Sequence, residues 1–130
     1  MESQSDTLLF ESVHAGFPSP AEDTTGTSLD INKLIVKNPA STFFARTSGD
    51  SMEGDGIRDG DILVIDKSEE PRDGAIAVCF INGEFTVKRL RIRDNSITLV
   101  PSNPRYRPVT IREGDELTIW GIVRYVIKKV

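Results

Sequence analysis

From Thr42 onward the chain is a succession of short apolar runs separated by turn residues, and this pattern strongly limits the folds open to it. The runs are rich in valine, isoleucine, phenylalanine and threonine, which favour strands. They occupy residues 42–47, 62–66, 75–81, 84–92, 97–100 and 117–126. Asn82 and Gly83 make a two-residue loop that tolerates positive φ, which favours a type I′ hairpin between two of the runs. The sequence therefore predicts a mainly β, antiparallel domain.

The first part of the chain has a different character. Residues 1–28 are polar and interrupted by glycine and proline, so we expect a short flexible N-terminal arm. Between residues 29 and 38 the apolar spacing favours one or two helical turns, with Ser28 as N-cap and Pro39 ending the run. The predicted organisation is an arm, 1–28, followed by one β-rich domain, 29–130.

The composition fits one globular domain rather than a nucleic-acid-binding or membrane protein. Of the 130 residues, 38% are hydrophobic, which is enough for a single core. The net charge of −4 argues against direct nucleic-acid binding, which needs clustered lysine and arginine. No run approaches the ~18 apolar residues of a membrane span, and the acidic start is unlike a signal peptide. We therefore expect a cytoplasmic location and no membrane contact.

Cys79 is the only cysteine and lies within an apolar run, where burial as a small hydrophobic residue is expected. No intramolecular disulfide is possible, which suits a reducing cytosol. Cysteine and histidine are too few for a metal site, and the segment from Asp50 to Asp61 lacks the spacing of a calcium loop. We expect neither a metal nor a cofactor.

The segment Gly49-Asp50-Ser51-Met52 offers a candidate nucleophile on a tight turn. Gly49 permits backbone angles that other residues resist, so the turn can present Ser51 and nearby backbone N–H groups outward. A serine hydroxyl ionises too poorly to attack a peptide carbonyl without an adjacent base and donors for the oxyanion. Read alone, a segment of this kind is more often an ordinary turn than a nucleophile site.

Lys88 is the candidate base. Strand alternation places it on one face with Thr86, Leu90 and Ile92, which is the more apolar face of the 84–92 run. A lysine among apolar side chains loses hydration, which lowers its pKa and makes the neutral amine available as a proton acceptor. The alternative is a lysine whose long side chain simply reaches out to solvent at a sheet edge.

Other catalytic arrangements are less well supported. His14 is the only histidine and falls in the predicted arm, so a serine–histidine–aspartate triad would have to include a flexible segment. Cys79 sits in mid-strand among apolar neighbours and is a poor nucleophile candidate. The remaining acidic residues occur mainly in turns. Ser51 and Lys88 are therefore the pair that the sequence favours.

The arm itself contains a candidate substrate. Ala15 and Gly16 are small, and Pro18 pushes Phe17 toward the extended conformation that proteases bind. Tethering this segment to its own catalytic domain would make cleavage effectively unimolecular. The bond between Ala15 and Gly16 is thus a candidate cleavage site, with an ordinary flexible arm as the alternative.

Taken together, these segments resemble the UmuD-like SOS mutagenesis proteins of the LexA-like serine peptidase family. The resemblance extends over nearly the whole chain and is carried by four segments in the same order. They are Ala15-Gly16-Phe17-Pro18-Ser19-Pro20-Ala21, Ser48-Gly49-Asp50-Ser51-Met52, Asp59-Gly60-Asp61 and Gly83-Glu84-Phe85-Thr86-Val87-Lys88. The resemblance implies a compact, strongly curved antiparallel β domain of the LexA/signal-peptidase type. It also implies that Ser51 is the nucleophile, that Lys88 is the general base and that the chain cuts itself between Ala15 and Gly16.

The resemblance further implies partners and a pathway. Such proteins form homodimers, and RecA filaments on single-stranded DNA stimulate their self-cleavage after DNA damage. The processed form joins a UmuC-type polymerase subunit as an accessory of error-prone translesion synthesis. Two alternatives stay open: a non-catalytic dimeric interaction module that regulates a polymerase, and a soluble peptidase that acts in trans.

Overall fold

The computed structural model describes residues 30–130. The chain is divided into two units, and the boundary lies between Lys37 and Asn38. The first unit contributes one short helix, α1 (Ile31–Ile35). Its N-cap is Asp30, whose carboxylate accepts hydrogen bonds from the backbone N–H groups of Asn32 and Lys33. No helix within residues 30–130 is long and apolar enough to cross a membrane.

The predicted one or two helical turns are therefore confirmed, but the predicted start and end of the helix are wrong. Asp30, not Ser28, is the cap, because an aspartate at this position reaches the N–H groups of the first turn. The helix ends at Ile35 because Val36 adopts an extended conformation. The predicted boundary between residues 28 and 29 lies at the edge of the described chain and stays a prediction.

The second unit, Asn38–Val130, begins with a short 3₁₀ turn, Pro39–Ser41, and forms one antiparallel sheet. Its seven strands are β1 (Thr42–Arg46), β2 (Ile62–Asp66), β3 (Ile76–Ile81), β4 (Glu84–Arg93), β5 (Ser96–Val100), β6 (Val109–Thr110) and β7 (Leu117–Ile127). Their order across the sheet is β1-β2-β7-β3-β4-β5-β6. The predicted mainly β, antiparallel fold is confirmed.

Two hairpins flank β4. The predicted one joins β3 to β4, with φ of 49° at Asn82 and 89° at Gly83, as a type I′ turn requires. The other joins β4 to β5 through Asp94 and Asn95, which also have positive φ. The sequence did not predict this second turn or the two-residue strand β6, because neither has a glycine or a long apolar run to mark it.

Strand β7 connects the two halves of the sheet. Although it is the last strand in the chain, it pairs with β2 on one side and with β3 on the other. Both pairings contain a bulge, one at Val64/Ile65 and the other at Val78/Cys79. Bulges bend a strand and increase its local twist, so they curve the sheet at its centre.

The bent sheet buries an apolar cluster on each face. Alternate residues of β3 contribute to different clusters, with Ala77 and Cys79 in one and Val78 in the other. The first cluster consists of Ala75, Ala77, Cys79, Leu90, Leu99 and Ile122. The second consists of Met52, Ile57, Leu63, Ile65 and Val78. Cys79 is fully buried, as the sequence predicted.

Asp66, at the end of β2, anchors the start of the second unit. Its buried carboxylate accepts hydrogen bonds from the side chains of Asn38 (2.8 Å), Ser41 (2.9 Å) and Ser68 (2.7 Å). The bonds from Ser68 and Asn38 hold the pKa of Asp66 well below its usual range, although burial acts in the opposite direction. The ionised carboxylate therefore stabilises the folded state.

We predict that Asp66→Asn lowers the free energy of unfolding at neutral pH by about 2 kcal/mol, because a charged acceptor of several buried hydrogen bonds is lost. The folded-state pKa lies below the unfolded value, so this stabilisation is present above about pH 4 and is lost as the pH falls further. Urea unfolding of both proteins between neutral and acidic pH measures the difference. The exposed substitution Glu113→Gln is the control, and a gap between Asp66→Asn and wild type that stays constant into acid would contradict the assignment.

Candidate active site

The turn after β1 presents Ser51 at the surface of the domain. Gly49 has a φ of 93°, which confirms the backbone freedom expected of it, and its N–H donates to the carboxylate of Asp59 at 2.9 Å. Met52 is almost completely buried in the second apolar cluster. The chain is thus fixed on both sides of Ser51, by the hydrogen bond of Gly49 and by the burial of Met52.

A second segment, the loop between β5 and β6, supports this turn. The N–H of Ser102 donates to the carbonyl of Ser51 at 2.8 Å, and the carbonyl of Ser102 accepts from the N–H of Gly54 at 2.8 Å. The side-chain amide of Asn103 donates to the carbonyl of Asp50 at 2.9 Å. The backbone on both sides of the candidate nucleophile is therefore tied to this loop.

Lys88 approaches the side chain of Ser51 from strand β4. Its register partner on β3 is Ala77, which puts the lysine side chain on the face of the first apolar cluster, as strand alternation predicted. Strand β5 pairs with β4 only from Arg89 to Arg93, so Lys88 lies just outside that pairing. There its side chain contacts the Ser51 turn, and Lys88 Nζ is 3.1 Å from Ser51 Oγ.

A second hydroxyl also contacts the lysine amine. Lys88 Nζ lies 2.5 Å from the Oγ1 of Thr86, two residues earlier on the same face of β4. Because the two contacts come from different elements, they fix the direction of the amine as well as its distance from Ser51. The sequence placed Thr86 on this face but did not identify it as a contact of Lys88.

The surroundings of Lys88 make its ammonium form less stable than it is in water. Burial lowers the pKa of the lysine below its ordinary value near 10.5, because the ammonium loses hydration. Burial also raises the pKa of the neighbouring Cys79 thiol to about 11, which keeps that thiol protonated and unreactive. A neutral amine in contact with a serine hydroxyl can accept its proton.

A cavity of about 370 Å³ opens beside Ser51. Ser51, Ser48 and Thr86 contribute polar atoms to its wall. The remaining wall is largely apolar and includes Met52, Ile57, Leu63, Ile65, Val78, Phe85, Val87 and Trp120. A concave, mostly apolar site with a few polar groups at one end is suited to binding a short segment of extended peptide.

The structure describes only some of the other residues that the sequence singled out. Ala15, Gly16 and His14 lie outside the described residues, so the cleavage site stays a prediction. Within residues 30–130, no group of three or more metal-ligating side chains comes together. Sequence reasoning did not find the supporting loop at Ser102 and Asn103, because nothing local to that loop indicates that it packs against Ser51.

An antiparallel β domain that brings a serine hydroxyl and a partly buried lysine amine together beside an apolar cavity has the features of a serine hydrolase. The model of the Peptidase S24-like family matches residues 7–124. The chain therefore belongs to the Peptidase S24-like family.

Individual relatives agree with this membership. Protein SamA of Salmonella typhimurium strain LT2 is 47% identical over 122 residues, which cover 94% of this chain and 84% of that protein. Protein ImpA of Escherichia coli is 41% identical over 123 residues, or 94% of this chain and 83% of that protein. The LexA repressor of Erwinia tasmaniensis is 37% identical over 129 residues, covering 98% of this chain and 63% of the repressor. The resemblance to UmuD-like and LexA-like proteins is confirmed.

The environment of Lys88 can be tested without any assay of function. We expect the side-chain amine of Lys88 to lose its proton at a pH below the ordinary lysine value, because burial disfavours the ammonium form. NMR titration of protein labelled at the lysine side chains measures this, with Lys88→Arg used to assign the signal. Titration at or above the ordinary value would contradict the desolvated environment.

Proposed function

We propose that this protein is a serine endopeptidase that cleaves its own chain between Ala15 and Gly16 through a Ser51–Lys88 dyad. The observation that carries the proposal is the 3.1 Å contact between Ser51 Oγ and a lysine amine whose burial favours the neutral state. Membership of a peptidase family supports the same reaction. The apolar cavity beside Ser51 supplies a place for the segment that is cut.

The proposed reaction needs one nucleophile and one base. The neutral amine of Lys88 accepts the hydroxyl proton of Ser51 as Oγ bonds to the carbonyl carbon of Ala15. The tetrahedral intermediate collapses, the bond between Ala15 and Gly16 breaks, and the Lys88 ammonium returns the proton to the leaving amine of Gly16. Water, deprotonated in turn by Lys88, attacks the resulting ester between Ala15 and Ser51, and the Lys88 ammonium gives its proton to Ser51 Oγ as that oxygen leaves. Thr86 holds the amine in line during these proton transfers.

Tethering makes this reaction practical for a dyad of modest strength. A substrate carried on the same chain is present at high effective concentration, and well-oriented intramolecular groups reach effective molarities of ~10⁵ M or more. The proposed enzyme needs to act only once per chain. Cleavage within one chain and cleavage across a homodimer both satisfy this chemistry.

The biological setting is proposed from the relatives. SamA, ImpA and MucA resemble this chain over most of its length, and the UmuD-like group to which they belong is associated with SOS mutagenesis. We therefore propose a cytoplasmic homodimer whose self-cleavage is stimulated by RecA filaments on single-stranded DNA after damage. Its processed form would serve a UmuC-type translesion polymerase subunit as an accessory. The acidic character of the chain, with a net charge of −4, fits contact with DNA through these partners.

The reaction predicts a defined product and a defined set of inactive variants. Ser51→Ala and Lys88→Ala are each expected to abolish a fragment that begins at Gly16, because one removes the nucleophile and the other its base. His14→Ala is the matched control and is expected to leave the fragment in place. Intact-mass measurement of purified protein, incubated with and without RecA filaments on single-stranded DNA, detects the product.

Each arm of this experiment decides a different part of the proposal. An unchanged mass under all conditions would sink the claim of self-cleavage. A loss of cleavage in His14→Ala would move the role of base away from Lys88. Cleavage at the same rate with and without filaments would leave the peptidase in place and remove RecA as its activator.

The rate of self-cleavage should also depend on pH in a particular direction. Only the neutral Lys88 amine accepts the Ser51 proton, so the rate rises as the pH increases through the pKa of Lys88. Because burial lowers that pKa, the rise should occur at a lower pH than an ordinary lysine would give. Fragment formation followed at a series of pH values gives the midpoint, and a rate that falls with increasing pH would refute a lysine base.

A further inference from the structure

We infer that Asn103 is a positioning residue for the oxyanion-binding group of this site. Its side-chain amide fixes the peptide group between Asp50 and Ser51 so that the N–H of Ser51 points toward the cavity. The inference rests on the proposed function, since an oxyanion develops only if Ser51 attacks a carbonyl. It assigns a role to a loop that lies far from Ser51 in the sequence and contributes no reacting atom.

The peptide group between Asp50 and Ser51 is held on its carbonyl side by Asn103. The carbonyl of Asp50 and the N–H of Ser51 belong to the same planar unit and point in opposite directions. Asn103 Nδ2 donates to that carbonyl at 2.9 Å. The amide of Asn103 is itself held, because the residue is only 9% exposed and its Oδ1 accepts from the N–H of Arg105 at 3.0 Å. The donor to Asp50 is therefore both buried and oriented.

The direction of the Ser51 N–H follows from the side on which Asn103 binds the turn. Ser48, Gly49 and Ser51 line the cavity, whereas Asn103 does not, so Asn103 binds the turn from the other side. Drawing the Asp50 carbonyl toward Asn103 turns the Ser51 N–H toward the cavity. Among the described residues, no acceptor receives a hydrogen bond from this N–H. A fixed, unsatisfied backbone donor beside the nucleophile is what a developing oxyanion requires.

Without Asn103 this peptide group would be held less firmly. The Asp50 carbonyl would keep one weaker partner, the N–H of Glu53 at 3.3 Å. The hydroxyl of Tyr106 donates to the side chain of Asp50, and Arg105 lies 3.9 Å from the same carboxylate. These contacts hold the side chain of Asp50 and not its backbone carbonyl. Accepting a hydrogen bond at its carbonyl also polarises a peptide group and strengthens its N–H as a donor. Asn103 therefore affects both the direction and the strength of the donor.

The test is the pH dependence of self-cleavage in Asn103→Ala. Removing an oxyanion donor outright costs ~10²- to 10³-fold in rate, so misaligning one is expected to cost roughly 10- to 100-fold. The loss should be the same at every pH, with the midpoint of the rise unchanged, because Asn103 contacts neither Lys88 nor Thr86. Asn82→Gly is the matched control, since it removes another side-chain amide that joins two loops, here the turn between β3 and β4 and the loop that contains Asp115 and Glu116, while keeping a residue that accepts positive φ. It should cleave at the wild-type rate.

Thermal melting of each variant separates folding from positioning. If Asn103→Ala does not fold, Asn103→Asp replaces it, because aspartate retains the size and the oxygen that accepts from Arg105 but cannot donate when ionised. A wild-type rate in a folded Asn103 variant would overturn the inference, and so would a shift of the pH midpoint in Asn103→Ala, which would place its effect on Lys88. Absence of cleavage in the wild-type protein itself would instead remove the proposed function.

Discussion

The pairing of β7 with both β2 and β3 is the interaction on which the site depends. Ser51 belongs to the turn between β1 and β2, whereas Lys88 lies on β4, which is paired to β3. Only β7 joins these two halves of the sheet. The 3.1 Å contact between the two side chains is therefore a consequence of long-range strand pairing, reinforced by the β5–β6 loop that binds the Ser51 turn.

The same sheet also sets the chemistry of the lysine. A charged amine on the face that carries Ala77, Cys79 and Leu90 is unfavourable, and within residues 30–130 two hydroxyl contacts compensate for it. This cost is absent when the amine is neutral, so packing and reactivity are coupled. The supporting loop adds nothing to the apolar cluster of Lys88, but it fixes the backbone from which Ser51 projects. Burial lowers the pKa of Lys88, and backbone hydrogen bonds orient Ser51.

Much of this arrangement could be predicted from the sequence, for reasons that are local. Period-two alternation placed Lys88 on the apolar face of its strand, and Asn82-Gly83 fixed the hairpin that carries it. Non-local features could not be predicted. The interposition of β7 and the approach of Asn103 to Asp50 depend on contacts between distant segments, and short-range periodicity carries no information about those. The helix cap was missed because Ser28 and Asp30 are both good cap residues, and the choice between them depends on where the chain turns.

The position of β7 at the end of the strand sequence has a consequence for synthesis. Proteins are made from the N-terminus, and domains fold as their segments emerge. Ala15 and Gly16, then Ser51, then Lys88 all leave the ribosome before Leu117–Ile127 does. Until that last strand inserts between β2 and β3, no strand pairing connects the serine half to the lysine half. A growing chain thus carries its candidate cleavage site well before the fold can assemble the pair proposed to cut it, which delays any cut until translation has passed the final strand.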